Sequence, residues 1–229
     1  MRLWSDSFIE GGAIPPDCAF AVIDPQAHIK LSSNRSPHMA WDEVPGGAMS
    51  LVLICHDPDV PSVGDNVNQE GKTVPASLPR VDFFHWSLVD IPVCLKSLPE
   101  GMFSDMVTPH GKPGPQVPFT IKNGTEHQLR HGLNDYTAWF AGDLDMVGDY
   151  YGYDGPCPPW NDERLHTYVF TLYALDIPRL PLVGRFTGPE LRLAIRGHIL
   201  DEARTFGVYS LNPEVVSSLF APAASTSTI

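Results

Sequence analysis

Four short segments carry most of the side chains in this sequence that could do chemistry, and they are spread over about half of the chain. They are Asp57-Pro58-Asp59-Val60-Pro61, His85-Trp86, Gly155-Pro156-Cys157-Pro158-Pro159 and His166-Thr167-Tyr168. Their prolines and glycines restrict the backbone and are expected to fix loops around imidazoles, a phenol and carboxylates. Such a set suits a small pocket for an anionic head group. No nucleophile or metal motif occurs among its members, so binding is the first interpretation.

Three segments have the pattern of strands that would position these side chains. Residues 49–55 form a continuous apolar run, which is typical of a strand buried on both faces. Residues 83–89 alternate with period two, and this pattern predicts that His85 faces away from the side of Trp86. Residues 166–175 also alternate, which places His166 and Tyr168 on one face, about 7 Å apart.

Elsewhere the chain favours loops and one helix. Its 23 prolines and 19 glycines are distributed along the whole length, as in a loop-rich β protein. Apolar residues recur at spacings of three and four between residues 189 and 206, so we predict a helix there, interrupted by Gly197. Residues 1–229 are interpreted as one domain, with a flexible tail over residues 221–229.

The composition excludes several classes of function. The net charge is -12 with only 15 Lys and Arg, whereas nucleic-acid and polybasic membrane-surface binding both need clustered cations. No window reaches the roughly 18 apolar residues of a spanning helix, and the first residues have no apolar signal region. We therefore predict a cytoplasmic protein that makes no integral membrane contact and binds no nucleic acid.

The cysteines give no sign of a metal or redox centre. Cys18, Cys55, Cys94 and Cys157 are widely spaced and form no CxxC pair. Cys55 lies in an apolar run and is expected in the core, whereas the proline-rich loop should leave Cys157 partly exposed. The histidines also lack a zinc-binding spacing. The sequence predicts no metal site and no cofactor.

In order and in residue type, these motifs resemble the phosphatidylethanolamine-binding protein family, also called Raf kinase inhibitor-like, and in particular its bacterial and archaeal branch. One such motif would be weak evidence, but the ordered set is specific and extends roughly from Leu31 to Leu200. The matching segments are residues 36–45, 57–61, 85–92, 152–159, 166–170 and 173–176.

The resemblance implies a mainly β fold: a β-sandwich with a large central antiparallel sheet, a few peripheral helices including one near the C-terminus, and a small anion pocket. It implies a phosphate or phosphorylethanolamine-like ligand, a homodimer, and regulation of a partner protein such as a kinase or protease. The implied ligand-binding residues are Asp57, His85, Gly155, Pro156, His166 and Tyr168. The implied supporting residues are Asp59, which would brace the Asp57 loop, and Pro61, Trp86 and Cys157.

Two imidazoles, a tyrosine hydroxyl and backbone N–H groups near Gly155 could donate hydrogen bonds to phosphate oxygens. Asp57 would either orient an imidazole or receive the ammonium group of an ethanolamine-like ligand, and the second role is favoured. If His85 or His166 binds an anion as imidazolium, affinity should rise as pH falls through about 6.5.

The chain departs from the family pattern in two respects. Thr167 stands where the family often has Arg, so any ion pair of that Arg is absent. Residues 62–82 and 139–151 are longer than in compact members, and they are expected to form a lid or a subunit contact.

Two other classes of function remain open at this level. The chain could be an enzyme, a hydrolase or isomerase that uses His85 or His166 as acid or base, with Cys157 as a conceivable nucleophile. It could also be an interaction module whose motifs serve the fold alone.

Overall fold

A computed structural model describes residues 1–120 and 124–219 of the chain. Strands dominate the described residues, and the helices are short. The strands are β1 Arg2–Trp4, β2 Ala21–Asp24, β3 His28–Leu31, β4 Met39–Asp42, β5 Ser50–Pro61, β6 Arg80–Ile91, β7 Ser97–Leu98, β8 Gly111–Lys112, β9 Gln116–Thr120, β10 Glu126–His131, β11 Asp149–Tyr150, β12 His166–Leu175 and β13 Ile199–Tyr209. The helices are a 3₁₀ turn at Pro16–Cys18, α1 Tyr136–Trp139, α2 Gly188–Ala194 and α3 Pro213–Leu219.

Six of these strands form a large antiparallel sheet in the order β13-β12-β5-β6-β10-β9. A three-stranded sheet, β1-β4-β7, lies against one face of it, because side chains from both sheets share the main core. Trp41 and Leu98 come from the small sheet, and Leu53 and Leu172 from the large one. The fold is therefore the mainly β sandwich with a large antiparallel sheet that the sequence predicted.

The other face of the large sheet is covered by α2 and the segment before it. Val52 and Ile54 of β5 pack there with Leu191 and Ile195. The apolar run at residues 49–55 is thus buried on both faces, as predicted, since Leu51, Leu53 and Cys55 point to the main core. The predicted strand over residues 166–175 is also confirmed.

The predicted helix over residues 189–206 is wrong beyond its first two turns. Helix α2 begins after Thr187, whose N–H donates to Glu190 in half of a capping box, and it ends at Ala194. Gly197 then turns the chain at φ 82° into β13. Ten residues of β12 pair with β13, and this ladder outweighs the local apolar periodicity. The predicted tail at residues 221–229 lies outside the described residues.

Candidate functional site

A cavity of about 440 Å³ opens at the end of the large sheet where β5 ends and β6 and β12 begin. Most of its walls are aromatic and aliphatic, and its size and lining are typical of small-molecule sites. The lining comes from Phe20, Ala21, Ile29, Leu31, Asp57, Val60, Pro61, Ser62, Val63, Gly64, Val67, Asn68, Phe83, His85, Tyr136, Trp139, Phe140, Asp143, Met146, Cys157, Pro158, Pro159 and Tyr168.

Three of the predicted ligand-binding residues form the buried polar end of this cavity. Asp57, His85 and Tyr168 are 1%, 3% and 1% exposed, and each contributes to the lining. They come from three adjacent strands, β5, β6 and β12. The structure therefore brings together Asp57 and Tyr168, which are more than 100 residues apart in the sequence, with His85 between them.

Irregularities in the pairing of β5 with β6 orient the side chains of Asp57 and His85. Cys55 and His56 of β5 pair with Trp86 and Phe84, so β6 carries His85 as an extra residue at this point. Such a bulge breaks the alternation of faces. The predicted opposition of His85 and Trp86 is consequently wrong: His85 contacts Tyr168, a member of the core cluster that contains Trp86, and Phe84 packs on the opposite face. The 57–61 segment, expected as a loop, is the end of β5 with a second irregularity between Asp57 and Val60.

His85 is a neutral imidazole that donates through one ring nitrogen and can accept through the other. Its Nδ1 lies 2.7 Å from the carbonyl oxygen of Asp154, and since a carbonyl can only accept, Nδ1 carries the proton. Burial among the rings of Phe83, Tyr136 and Tyr168 lowers the pKa of His85 to about 4. At neutral pH the unprotonated Nε2 is thus the ring nitrogen left to accept a hydrogen bond within the cavity.

His166 does not line the cavity but lies behind Asp57, fully buried. Its Nδ1 is 2.7 Å from Oδ2 of Asp57, and its Nε2 is 3.0 Å from Oδ2 of Asp162. Burial lowers the pKa of His166, but the hydrogen bonds and charges of the two carboxylates outweigh burial and raise that pKa to about 9. Both ring nitrogens donate, so His166 is an imidazolium that positions Asp57.

Arg80 completes this buried network. Its guanidinium makes two hydrogen bonds to the carboxylate of Asp162, at 2.5 and 3.0 Å, and donates to the carbonyl oxygen of Asp59 at 2.8 Å. The carboxylates of Asp57, in the cavity wall, and of Asp162, behind it, thus face one imidazolium and one guanidinium. The charges balance, which is the condition for burying them.

Gly155 and Pro156 also lie behind the cavity lining. The Gly155 N–H donates to Oδ1 of Asn34 at 2.8 Å, and the Gly155 carbonyl accepts from the hydroxyl of Tyr136 at 2.7 Å. The Pro156 carbonyl accepts from the N–H of Phe20. The Gly155 N–H, one of the groups that the sequence suggested for a ligand, is therefore bonded to the protein itself.

A second buried network fixes the loop that holds His85. The Asp154 carboxylate is fully buried and accepts from Lys112 at 2.5 Å and from Asn34 and Asn134 at 2.7 Å each. The same residue supplies the carbonyl for Nδ1 of His85. Lys112 and the two asparagines thus position the imidazole indirectly.

The four supporting residues occupy different places. Asp59 braces Asp57, as the resemblance implied: its N–H donates to Oδ1 of Asp57 at 2.7 Å, and its carboxylate accepts from the N–H of Thr167. Pro61 and the half-buried Cys157 line the cavity. Burial raises the pKa of the Cys157 thiol to about 12, so it is not a thiolate at neutral pH. Trp86 is buried in the core and donates its indole N–H to His131.

The sequence analysis missed Asp162, Tyr136, Phe83, Asn34 and Asp154 as parts of the site. Asp162 lies four residues before His166, and this spacing could have signalled a carboxylate near the imidazole. Phe83 belongs to the predicted strand of His85, and Asp154 precedes Gly155 in the 152–159 segment, so both also had a local signal. Tyr136 and Asn34 had none, because the fold brings them in from a separate helix and a separate loop.

Comparison with known proteins places this chain in a family. The sequence pattern of the family described as phosphatidylethanolamine-binding protein matches residues 4–210. The chain belongs to the phosphatidylethanolamine-binding protein family.

Relatives in this family include proteins from bacteria and archaea. UPF0098 protein YbhB of Escherichia coli (strain K12) is 28% identical over 210 residues, which cover 92% of this chain and 100% of the relative. A UPF0098 protein of Methanothermobacter thermautotrophicus is 33% identical over 176 residues, or 77% of this chain and 83% of the relative.

Two solved structures of phosphatidylethanolamine-binding protein homologues are similar in fold. CT736 of Chlamydia trachomatis matches with a TM-score of 0.57 and 26% identity, over 91% of this chain and 96% of that chain. YbcL of E. coli, a member of the family, matches with a TM-score of 0.61 and 21% identity, over 91% and 97%.

Both long segments of this family member build the outer part of the cavity. Residues 62–68 contribute Val63 and Val67, and residues 139–146 contribute Trp139, Phe140 and Met146. None of the helices in residues 1–120 and 124–219 is long and apolar enough to cross a membrane. Over the same described ranges, no group of three or more His, Cys, Asp or Glu side chains could hold a metal ion.

Proposed function

We propose that this protein binds a small organic ligand and holds its polar head group at the Asp57, His85 and Tyr168 end of the cavity. The observation that carries the proposal is the burial of these three polar groups at the base of an otherwise apolar cavity of about 440 Å³. Buried polar groups that face an apolar cavity orient a ligand through hydrogen bonds. A phosphorylethanolamine-like head group, as the family name suggests, offers an ammonium group to Asp57 and Nε2 of His85.

Two observations favour binding over the alternative of an enzyme. His85 is neutral, with a pKa lowered to about 4 by burial, and is therefore a weak base, while His166 is enclosed by two carboxylates. Cys157 has a pKa raised to about 12, which disfavours the thiolate that a nucleophile needs.

We expect glycerophosphoethanolamine to bind in a saturable manner, and His85→Ala to weaken this binding by about tenfold or more, because the ammonium loses an acceptor. Calorimetric titration measures both affinities. The matched control is His198→Ala, whose imidazole is exposed and pairs with Asp176 away from the cavity. Absence of binding, or equal affinity in the His85 variant, would contradict the proposal.

The pH dependence of this binding should differ from the sequence-based expectation of a rise through about 6.5. Nε2 of His85 accepts only while the ring is neutral, and its pKa is about 4. Affinity should therefore be constant between about pH 6 and 8 and fall as pH approaches 4. The phosphodiester of the probe does not titrate in this range, so a rise in affinity below pH 6.5 would point to an imidazolium that binds the anionic group.

Regulation of a partner protein such as a kinase or protease, homodimer formation and a cytoplasmic location remain predictions from the family resemblance. The residues considered for a dimer contact, 62–82 and 139–151, also supply the outer cavity wall. A change in oligomeric state could therefore alter access to the cavity, and gel filtration with and without the probe tests this link.

A further inference from the structure

We propose that Asn161 is a positioning residue of the cavity: it holds residues 62–73, here called the lid, over the cavity, and the bound ligand leaves when the lid opens. The inference rests on the proposed function, since it concerns how the ligand of that cavity enters and leaves. Three features carry it: the exposure of the lid, its attachment to one buried side chain, and the link between that side chain and the polar end of the cavity.

The lid forms no helix or strand and has little contact with the core. All of its residues are exposed except Val67, which is half-buried. Val63, Val67 and Asn68 belong to the lining of the cavity, so the space for a ligand, and not a packed core, lies beneath them. A segment with few buried apolar contacts opens locally at a small cost in free energy.

The side chain of Asn161, which is only 6% exposed, holds the lid in place of such packing. Its Nδ2 donates to the carbonyl oxygens of Asn66 at 2.8 Å and Lys72 at 3.0 Å, and it lies 3.4 Å from that of Gln69. Its Oδ1 accepts from the N–H of Asn68 at 3.0 Å. One amide group thus satisfies backbone groups from residue 66 to residue 72, which in a helix or strand would bond to each other.

The lid also contacts another wall of the cavity. Nε2 of His28, at the start of β3, donates to Oε1 of Glu70 at 2.5 Å. The His28 ring also stacks on Trp160, with centroids 3.8 Å apart. The same strand lines the cavity through Ile29 and Leu31. The lid therefore connects the end of β5 to β3, and its displacement would widen the opening of the cavity.

Asn161 is also linked to the polar end of the cavity. The next residue, Asp162, bonds to Nε2 of His166, and Nδ1 of His166 bonds to Asp57. The attachment point of the lid and the support of Asp57 are thus consecutive residues. A ligand that contacts both Asp57 and the lid binds the closed state preferentially and should stabilise that state.

Trypsin cleavage after Lys72 tests this attachment, because the carbonyl of the bond to be cut is one that Asn161 holds. In Asn161→Asp the acceptor for the Asn68 N–H remains, whereas the donor is lost. Cleavage after Lys72 should become about tenfold faster, which corresponds to the loss of one or two hydrogen bonds. Cleavage after Arg196, in the exposed turn before β13, is the internal reference and should not change.

Ligand binding should respond to the same substitution. Saturating glycerophosphoethanolamine should slow cleavage after Lys72 in the unaltered protein at least about threefold and leave cleavage after Arg196 unchanged. Calorimetric titration of Asn161→Asp should show about threefold to tenfold weaker affinity, and stopped-flow dilution should assign most of this loss to faster dissociation. A residue that only stabilised the fold would change cleavage at both sites and leave the affinity of the folded protein unchanged.

Glu70→Ala is a second variant, at an exposed position where folding does not depend on the side chain. It removes the contact with His28 and should make cleavage after Lys72 about threefold faster. The matched control is Glu202→Ala, which removes an exposed ion pair with Arg204 on β13, outside the cavity lining. This control should leave cleavage after Lys72 unchanged.

The outcomes separate this inference from the proposed function. Equal rates of cleavage after Lys72 in the Asn161 and Glu70 variants and in the unaltered protein would overturn the inference. Faster cleavage with unchanged affinity and dissociation rate of the probe would also overturn it, because the lid would then not control ligand exchange, and the proposed function would stand. Absence of probe binding to the unaltered protein would overturn the proposed function, and the inference with it.

Discussion

Replacement of His166 by alanine should lower the free energy of unfolding by about 3–5 kcal/mol. The imidazolium is fully buried and donates to Asp57 and Asp162, so its removal leaves two buried carboxylates with only Arg80 as a cationic partner. Breaking a buried ion pair costs more than a surface pair because the remaining charge stays desolvated. Urea unfolding measures the loss, provided that the free energy of unfolding falls with urea concentration at the same slope in both proteins.

The loss should depend on pH in a direction set by the pKa of His166. This pKa is about 9 in the folded protein and about 6.5 in an unfolded chain, so the folded state binds the proton more tightly. The stabilisation is fully present below pH 6.5 and is lost as pH rises through 9. The difference in free energy of unfolding between the unaltered protein and the variant should therefore become smaller as pH rises from about 6.5 to about 9.

The control for this prediction is His198→Ala. His198 also pairs with an aspartate, Asp176, at 2.8 Å, but both side chains are well exposed to solvent. Exposed pairs contribute at most about 1 kcal/mol. A loss of similar size in both variants would mean that the buried network behind Asp57 is not a major source of stability.

Three strands of the large sheet, β5, β6 and β12, could be predicted from sequence because their signals are local. The apolar run in β5 and the alternation in β12 are visible over seven to ten residues, and both strands form as predicted. The β13 strand was missed for a physical reason. Its apolar residues also fit helical spacing, and the choice is made by pairing with β12, a contact that no window of the sequence contains.

In the candidate site, the sequence predicted residue types better than it predicted the positions of the side chains. Asp57, His85 and Tyr168 were identified as cavity residues from their motifs, and they line the cavity. His166 was assigned with them because it belongs to the same family motif as Tyr168. It lies two residues closer to the strand end, however, where its Nε2 is bonded to Asp162. Whether a side chain lines the cavity or supports another side chain depends on contacts such as that of Asp162 with His166. The alternation of residues along a strand does not predict these contacts.

The protonation states of the two histidines could not be predicted from the sequence either. Isolated imidazoles are alike, with a pKa near 6.5. Enclosure by aromatic rings lowers the pKa of His85 to about 4, whereas two carboxylates raise the pKa of His166 to about 9. Motif analysis treated both as donors to an anion. Their environments instead make one a neutral acceptor at the cavity and the other a fixed cation behind it.

Gly155→Ala should cost about 3 kcal/mol of stability and weaken ligand binding at the same time. A Cβ on Gly155 would lie 2.1 Å from the carbonyl oxygen of Cys18, which is backbone and cannot move away as a flexible side chain would. The strain of such overpacking is of this order. Glycine is needed here because the loop approaches the protein's own backbone, not because of a special φ angle.

The same substitution should reach the cavity through hydrogen bonds. A shift of Gly155 would disturb its bonds to Asn34 and to the hydroxyl of Tyr136, whose ring lines the cavity beside His85. Gly142→Ala is the matched control, because an added Cβ there meets open space, and it should change stability by no more than about 0.5 kcal/mol. Chemical denaturation measures the effect on stability, and titration of glycerophosphoethanolamine measures the effect on ligand binding. A Gly155 variant as stable as the Gly142 variant would show that the 18–19 backbone yields easily, and the loop could not then hold the polar end of the cavity in place.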